Sequence, residues 1–235
     1  SDPRQVAFVA TPDYAMAMTL TAGYLYVSDG DGNLHVINII DPTDPVLERS
    51  IGISRRASDL AFGAGHLYLA VKGMGLTILD LEDPTDPQVI RDYQLPTADS
   101  IQVQEGLALV SSSGVGLILL NVSDPTEPTI LGFNTTGGEN RGAGFIQGKL
   151  IQTDTAKGIQ VLDFNYRPEA SITLVGPIPA RAGVRVTLQG EGRDRDGDVA
   201  AYQWRSDMNG ELGSEATLEL DSLSPGTHTL SFRVV

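Results

Sequence analysis

Apolar and polar residues alternate just ahead of four glycines: Met18/Leu20 before Gly23, Leu60/Phe62 before Gly65, Ile101/Val103 before Gly106, and Ala143/Phe145 before Gly148. Alternation with a period of two predicts strands with one buried face. A denser apolar run follows each glycine ("GYLYVS", "GHLYLA", "GLALVS", "GKLIQT"), and a second run starts at Asn33, Gly75, Gly116 and Gly158. Runs this rich in Val, Ile, Leu and Tyr predict strands buried on both faces. A third run, "VLERSIG", "QVIRDYQ" or "TILGF", completes the first three copies. The glycines are spaced by 42, 41 and 42 residues. A fixed period of this size signals a solenoid, a propeller or an array, and no stretch has helical periodicity.

Between the second and third runs stands a proline-broken phrase: "IIDPTDP" at 39–45, "EDPTDP" at 82–87 and "SDPTEP" at 123–128. Its two prolines fix φ and remove two amide donors, so no sheet continues through it. Its aspartates accept local backbone hydrogen bonds and shape a turn. The phrase therefore punctuates the third and fourth strands of one unit. Four short antiparallel strands per repeat make the blade of a β-propeller.

The stretches "LYVSDGDGNLHVINIIDPTDP", "LYLAVKGMGLTILDLEDPTDP" and "ALVSSSGVGLILLNVSDPTEP" resemble LVIVD repeats. That family is found in bacterial and archaeal surface or secreted proteins, and the resemblance implies a propeller. It covers residues 1 to about 165. The fourth copy departs from the pattern, because "VLDFNYRPEA" has lost its DP pair. The opening "SDPRQVAFVA" reads as the tail of a preceding repeat. Two explanations stand: residues 5–10 supply an outer strand that closes the ring with the last blade, or the chain is part of a longer array.

Near residue 167 the period stops, which divides the chain into 1–166 and 167–235. Alternation at Val184/Val186/Leu188, Tyr202/Trp204, Leu218/Leu220 and Leu230/Phe232 predicts strands split by Gly- and Asp-rich turns, with Trp204 as a core anchor. Asp194, Asp196, Gly197, "YQW" at 202–204 and "LSPGTHTLSFRV" at 223–234 resemble a PKD-type immunoglobulin-like domain. The resemblance implies an extracellular β-sandwich spacer or adhesion module. It also implies one more strand after Val235.

Composition then narrows the chemistry. Sixteen Lys+Arg stand against 30 Asp+Glu, a net charge of −14, which repels phosphate backbones and argues against a nucleic-acid partner. There is no cysteine, so thiolate catalysis, disulfides and cysteine zinc sites are excluded. No apolar run reaches the ~20 residues of a membrane helix, and no membrane insertion is expected. Asp194, Asp196 and Asp198 alternate around Gly197, a spacing that presents oxygens to calcium and equally makes an acidic hairpin turn. Arg55, Arg56 and Arg141 lie on loops entering first strands, where they gather at one mouth of the propeller as a site for an anionic ligand such as a polysaccharide. The histidines fall in different copies and domains and imply no catalytic dyad. The expected function is that of a non-enzymatic extracellular or cell-surface structural or adhesion protein, working through self-association or other protein contacts. The alternative is recognition of a polysaccharide or protein at the propeller mouth.

Overall fold

The computed structural model describes residues 2–21, 23–53, 55–135, 137–164, 168–180, 183–194, 198–221 and 223–234, which hold twenty-one strands and no helix. The chain divides into two compact units, Ser1–Asp163 and Phe164–Val235.

The first unit is a series of sheets in chain order. Blade 1 is β1 (Ala15–Thr21), β2 (Tyr24–Asp29), β3 (Asn33–Asn38) and β4 (Val46–Gly52); blade 2 is β5 (Ala57–Gly63), β6 (His66–Val71), β7 (Gly75–Asp80) and β8 (Gln88–Gln94). Blade 3 is β9 (Ser100–Gln104), β10 (Leu107–Ser112), β11 (Gly116–Asn121) and β12 (Thr129–Asn134). In each, consecutive strands pair antiparallel, so each blade is a four-stranded meander. The turn glycines are needed where they stand: Gly75 and Gly116 have φ of 120° and 111°, and a Cβ on either would meet backbone atoms of the neighbouring strand at 2.3 Å and 2.2 Å.

The proline phrase folds the same way in all three copies. The Asp41, Asp83 and Asp124 carboxylates each accept the amide and the hydroxyl of the threonine two residues on, at 2.6–2.9 Å. Each aspartate's carbonyl also accepts the amide three residues on. The threonine bonds hold all three carboxyls below the usual carboxylate range.

Register gives every blade two faces. In blade 1, Met18, Val27, His35 and Ser50 share a row on one face, while Thr19, Tyr26, Val36 and Arg49 share a row on the other. The second, trailing face packs on the leading face of the next blade. Tyr26, Leu34 and Val36 form one buried cluster with Leu60, Leu67, Leu69 and Leu79. Tyr68, Ala70, Leu76 and Ile78 do the same with Ile101, Ala108, Val110 and Leu120. Polar ties lock these interfaces: the Tyr26 hydroxyl donates to the Pro84 carbonyl at 2.8 Å, and the Ile101 amide donates to Asp59 at 2.9 Å. Arg49 pairs with Asp86 across the same joint.

The fourth sheet differs from the expectation of a full blade. It holds three strands, β13 (Asn140–Ile146), β14 (Lys149–Asp154) and β15 (Gly158–Asp163), so among the described residues no strand pairs with the outer edge of β15. Residues 2–10 form no strand, so they do not close a ring as an outer strand of the last blade. Residues 6–11 instead lie over the leading face of blade 1 and line with it an open apolar groove of about 770 Å³. β1 packs on β5, β5 on β9, and β9 and β10 on β13, while β13 makes no comparable packing on β1: the series of blades is an open arc.

The second unit has two three-stranded sheets. One orders β16 (Glu169–Gly176), β17 (Val186–Arg193) and β20 (Thr217–Leu220); the other orders β19 (Gly210–Gly213), β18 (Tyr202–Ser206) and β21 (Leu230–Val234). They share one core, in which Val186 and Leu188 of the first sheet meet fully buried Trp204 of the second. Trp204 donates from Nε1 to the Glu215 carbonyl at 3.0 Å and lies 4.4 Å from Phe232, centroid to centroid, so the expected anchor is in place. Gly190 is tied to this packing, since a Cβ there would meet the Phe232 ring at 2.4 Å.

Candidate functional site

Repeat columns show what the two ends of the arc lack. Met18 is 66% exposed, whereas Leu60 and Ile101, one and two repeats on, are 5% and 0% exposed. Ile159 is 70% exposed, whereas Leu34, Leu76 and Leu117 in its column are 0%, 0% and 2% exposed. Residue type hardly changes along either column; only the presence of a neighbouring blade does. The leading face of blade 1 (Met18, Leu20) and the trailing face of blade 4 (Ile159, Val161) are thus blade interfaces without a second half.

The predicted cationic trio is brought together only in part. Arg55 and Arg56 line one cleft of about 490 Å³ with Met16, Ser58 and Lys72. The Arg56 guanidinium stands 6.0 Å above the Tyr14 ring. Lys72 reaches the cleft from the β6–β7 hairpin of blade 2, a residue that the search for arginines on entry loops missed. Arg141 belongs to β13 and is not among the lining residues; its guanidinium pairs with Glu139 at 2.5 Å. That partner stands two residues away in sequence, and both side chains are exposed.

Asp194 and Asp198 are described, while Asp196 lies outside the described residues. Asp194 already has an interaction within the chain. Among the described residues no group of three His, Asp or Glu side chains converges as a metal site.

A polar chain, buried at Asp29 and His35 and exposed at Ser50, runs across the leading face of blade 1, with no motif in the sequence to announce it. His35 Nε2 meets Asp29 Oδ2 at 2.9 Å, and His35 Nδ1 meets the Ser50 hydroxyl at 2.8 Å. A carboxylate only accepts, so Nε2 carries a proton and, in the neutral ring, Nδ1 accepts from Ser50. This is the proton polarity of a serine nucleophile, but the row itself argues for a structural role. In blade 2 the equivalent pair is Thr77 donating to Asp92 at 2.7 Å, in blade 3 it is the apolar pair Ile118 and Phe133, and in blade 4 the same row holds Gln152 donating to Gln160 at 2.5 Å, one strand pair earlier. The row thus tolerates a polar bond or an apolar pair, as a packing position does. Asp29 also caps its own hairpin, accepting the amides of Asp31 at 3.0 Å and Asn33 at 2.8 Å. Burial pushes its carboxyl up, but bonds from Asn33, His35 and Asp31 outweigh burial and hold it at about 2. The remaining histidines serve turns: His228 bonds Ser206 and the Ser224 carbonyl, each at 2.7 Å, and His66 bonds the Ala64 carbonyl at 2.8 Å.

The LVIVD repeat model matches residues 13–51, 54–94 and 97–136, just over half of the chain. The chain belongs to the LVIVD repeat family. The matched segments begin at or just ahead of the first strand of blades 1, 2 and 3 and end within or just beyond the fourth, which leaves the three-stranded blade 4 outside the match. Among solved structures the chain is similar to two designed repeat β-propeller proteins. The computationally designed Ika4 protein matches at 10% identity and a TM-score of 0.56, over 69% of this chain and 99% of that one. The computationally designed Ika8 protein matches at 11% identity and a TM-score of 0.51, over 78% of this chain and 62% of that one. At such identities the likeness is one of fold: this LVIVD chain has a propeller-like repeat architecture. No curated protein matches it in sequence.

Proposed function

We propose that this LVIVD chain is a non-enzymatic extracellular or cell-surface protein that works structurally or in adhesion, through contacts between protein chains. The observation that carries this is the exposed apolar side chains at the two ends of the arc, Met18 and Leu20 on the leading face of blade 1 and Ile159 and Val161 on the trailing face of blade 4. Exposed apolar surface of this kind marks an interaction site in a water-soluble domain. In this reading the second unit is an immunoglobulin-like spacer of the PKD type, supported by its two sheets around Trp204 and by the "YQW" and "LSPGTHTLSFRV" phrases. Calcium, held at Asp194, Asp196 and Asp198, stiffens that spacer. Light scattering across a hundredfold range of protein concentration, with calcium and again with a chelator, tests the assembly. A mass that rises with concentration supports it, and a constant monomer mass sinks it. A fall in mass on chelation assigns calcium to the contact, and an unchanged mass removes it.

A second reading, recognition of an acidic polysaccharide, has its own support in the cleft of Arg55, Arg56 and Lys72. Three cations, two from the loop entering blade 2 and one from its β6–β7 hairpin, line it on a protein of net charge −14. Replacing all three by alanine abolishes retention on an acidic polysaccharide column if this reading holds. Retention that survives the triple change rules the cleft out.

A further inference from the structure

The hairpins between second and third strands align as "SDGDGN" at 28–33, "AVKGMG" at 70–75, "SSSGVG" at 111–116 and "TDTAKG" at 153–158. Where blade 1 has Gly30 and Gly32, the other copies carry Lys72 and Met74, Ser113 and Val115, and Thr155 and Lys157. Both glycines make room for the arginines of the cationic cleft. A Cβ on Gly30 would stand 2.2 Å and 2.3 Å from two atoms of the Tyr14 ring, so the ring lies directly against the hairpin. The Gly30 amide also donates to the Tyr14 carbonyl at 3.1 Å. Over that ring stands the Arg56 guanidinium. A Cβ on Gly32 would stand 3.1 Å from the Arg55 backbone, and the Gly32 carbonyl accepts the Ile53 amide at 2.9 Å. Hairpin, ring and both arginines thus form one packed unit, all of it on blades 1 and 2 and the loops that enter them.

Among the described residues none of Arg55, Arg56 and Lys72 forms an ion pair, although the Asp13 carboxylate also comes against Gly30. Arg49, Arg141, Lys149 and Arg185, by contrast, all pair with carboxylates. Three exposed cations that share a cleft without an acid repel one another, and an arriving oxyanion relieves that repulsion. A carboxylate partner would hold Arg56 still by neutralising it. The Tyr14 ring holds it and leaves the guanidinium fork free. We infer that Tyr14 and Gly30 are positioning residues, which seat Arg56 so that the cleft is built in advance for the oxyanion of an acidic polysaccharide, a carboxylate or a sulfate ester. The inference rests on the polysaccharide reading of this cleft and adds how the site is made. A side chain already held loses less freedom on binding, and that is what the ring and the bare hairpin contribute.

The test is calorimetric titration of the full chain with polygalacturonate, with dextran sulfate and, as an acidic polypeptide, with polyglutamate. The parent binds one or both of the polysaccharides, which names the oxyanion, and Arg55→Ala/Arg56→Ala/Lys72→Ala abolishes that binding. Tyr14→Leu weakens it ~2–5-fold, the range of a cation–π contact at an exposed site. Tyr14→Phe keeps the ring and restores the affinity. Gly30 has no left-handed φ, so Gly30→Ala displaces the exposed ring without straining the backbone and weakens binding by the same ~2–5-fold. The double variant Tyr14→Leu/Gly30→Ala is no weaker than Tyr14→Leu alone, because both changes act through one ring. Circular-dichroism melts within a few degrees of the parent verify that each variant folds. If the triple variant abolishes binding while Tyr14→Leu and Gly30→Ala bind as the parent does, the positioning roles are overturned and the polysaccharide reading stands. If the two losses add in the double variant, the route from Gly30 through Tyr14 is overturned. If binding survives the triple change, or the parent binds only polyglutamate or none of the three, both the inference and the reading beneath it fall.

Discussion

Leu60 and Met18 occupy the same column of consecutive blades, face the same way, and have similar size and hydrophobicity. One lies inside the cluster joining blades 1 and 2; the other lies against solvent and an open groove. The same contrast separates Leu34 from Ile159 at the opposite face. In a repeat array, burial is a property of the neighbour as much as of the residue, because each unit buries its faces only by stacking. The interior of the arc is therefore a finished structure. At its two ends the same faces have no blade packed on them among the described residues.

The contrast is broken or sharpened most strongly by truncation. Leu60→Ala should cost about 2–4 kcal/mol, the transfer loss plus the cavity left between blades. Met18→Ala, its counterpart at the end, should stay within about 0.5 kcal/mol in dilute monomer. Urea unfolding of the two variants reads the difference, and equal losses would mean that the head of blade 1 is already covered in the single chain. Next comes Tyr26→Phe. It leaves the packing but deletes the bond from one blade to the Pro84 carbonyl of the next, an expected loss of about 1 kcal/mol. Burial pushes the Tyr26 phenol up to about 12, so the hydroxyl stays a donor throughout the neutral and mildly alkaline range.

A smaller effect follows acid. The Asp29 carboxyl is held at about 2 in the folded chain, below the value of roughly 4 expected for an unfolded aspartate. Its contribution is thus fully present above about pH 4 and is lost as pH falls through about 2. Asp29→Asn should flatten the decline of stability in that window, as followed by thermal melts between pH 2 and 5; an unchanged slope would assign the decline to other carboxylates. The smallest effect belongs to the three exposed turns. Thr43→Val, Thr85→Val and Thr126→Val each remove the same hydroxyl donor, so their small losses should match one another at neutral pH and vanish in acid. Unequal losses would mean that a turn is coupled to its blade.

Particular residues explain how much of this was legible beforehand. The glycine spacing and the alternation around it located the strands of three blades, since both patterns are local and the register between adjacent strands follows from tight turns. Trp204 was legible for the same reason: a lone large aromatic in an alternating strand has one natural place. The place of residues 4–10 was not, because a strand phase does not reveal that residues 6–11 lie over the leading face of blade 1 without pairing. The surroundings of Arg141 were not legible, because the sequence does not reveal that it falls within β13 and pairs with Glu139. The Asp29–His35–Ser50 chain was hidden by a separation of 15 residues between His35 and Ser50, a contact that exists only once β3 and β4 are in register.

The most direct test of the central claim is amide hydrogen exchange resolved by strand, run on dilute and on concentrated protein. The account predicts that β6, β7, β10 and β11 exchange slowly in both. Residues 4–10, β1 and β15 should exchange fast when dilute and slow markedly when concentrated, as the end faces find each other. If β1 and β15 are as protected as the interior in dilute solution, or if concentration changes nothing, then the ends are not unfinished interfaces and the account is wrong.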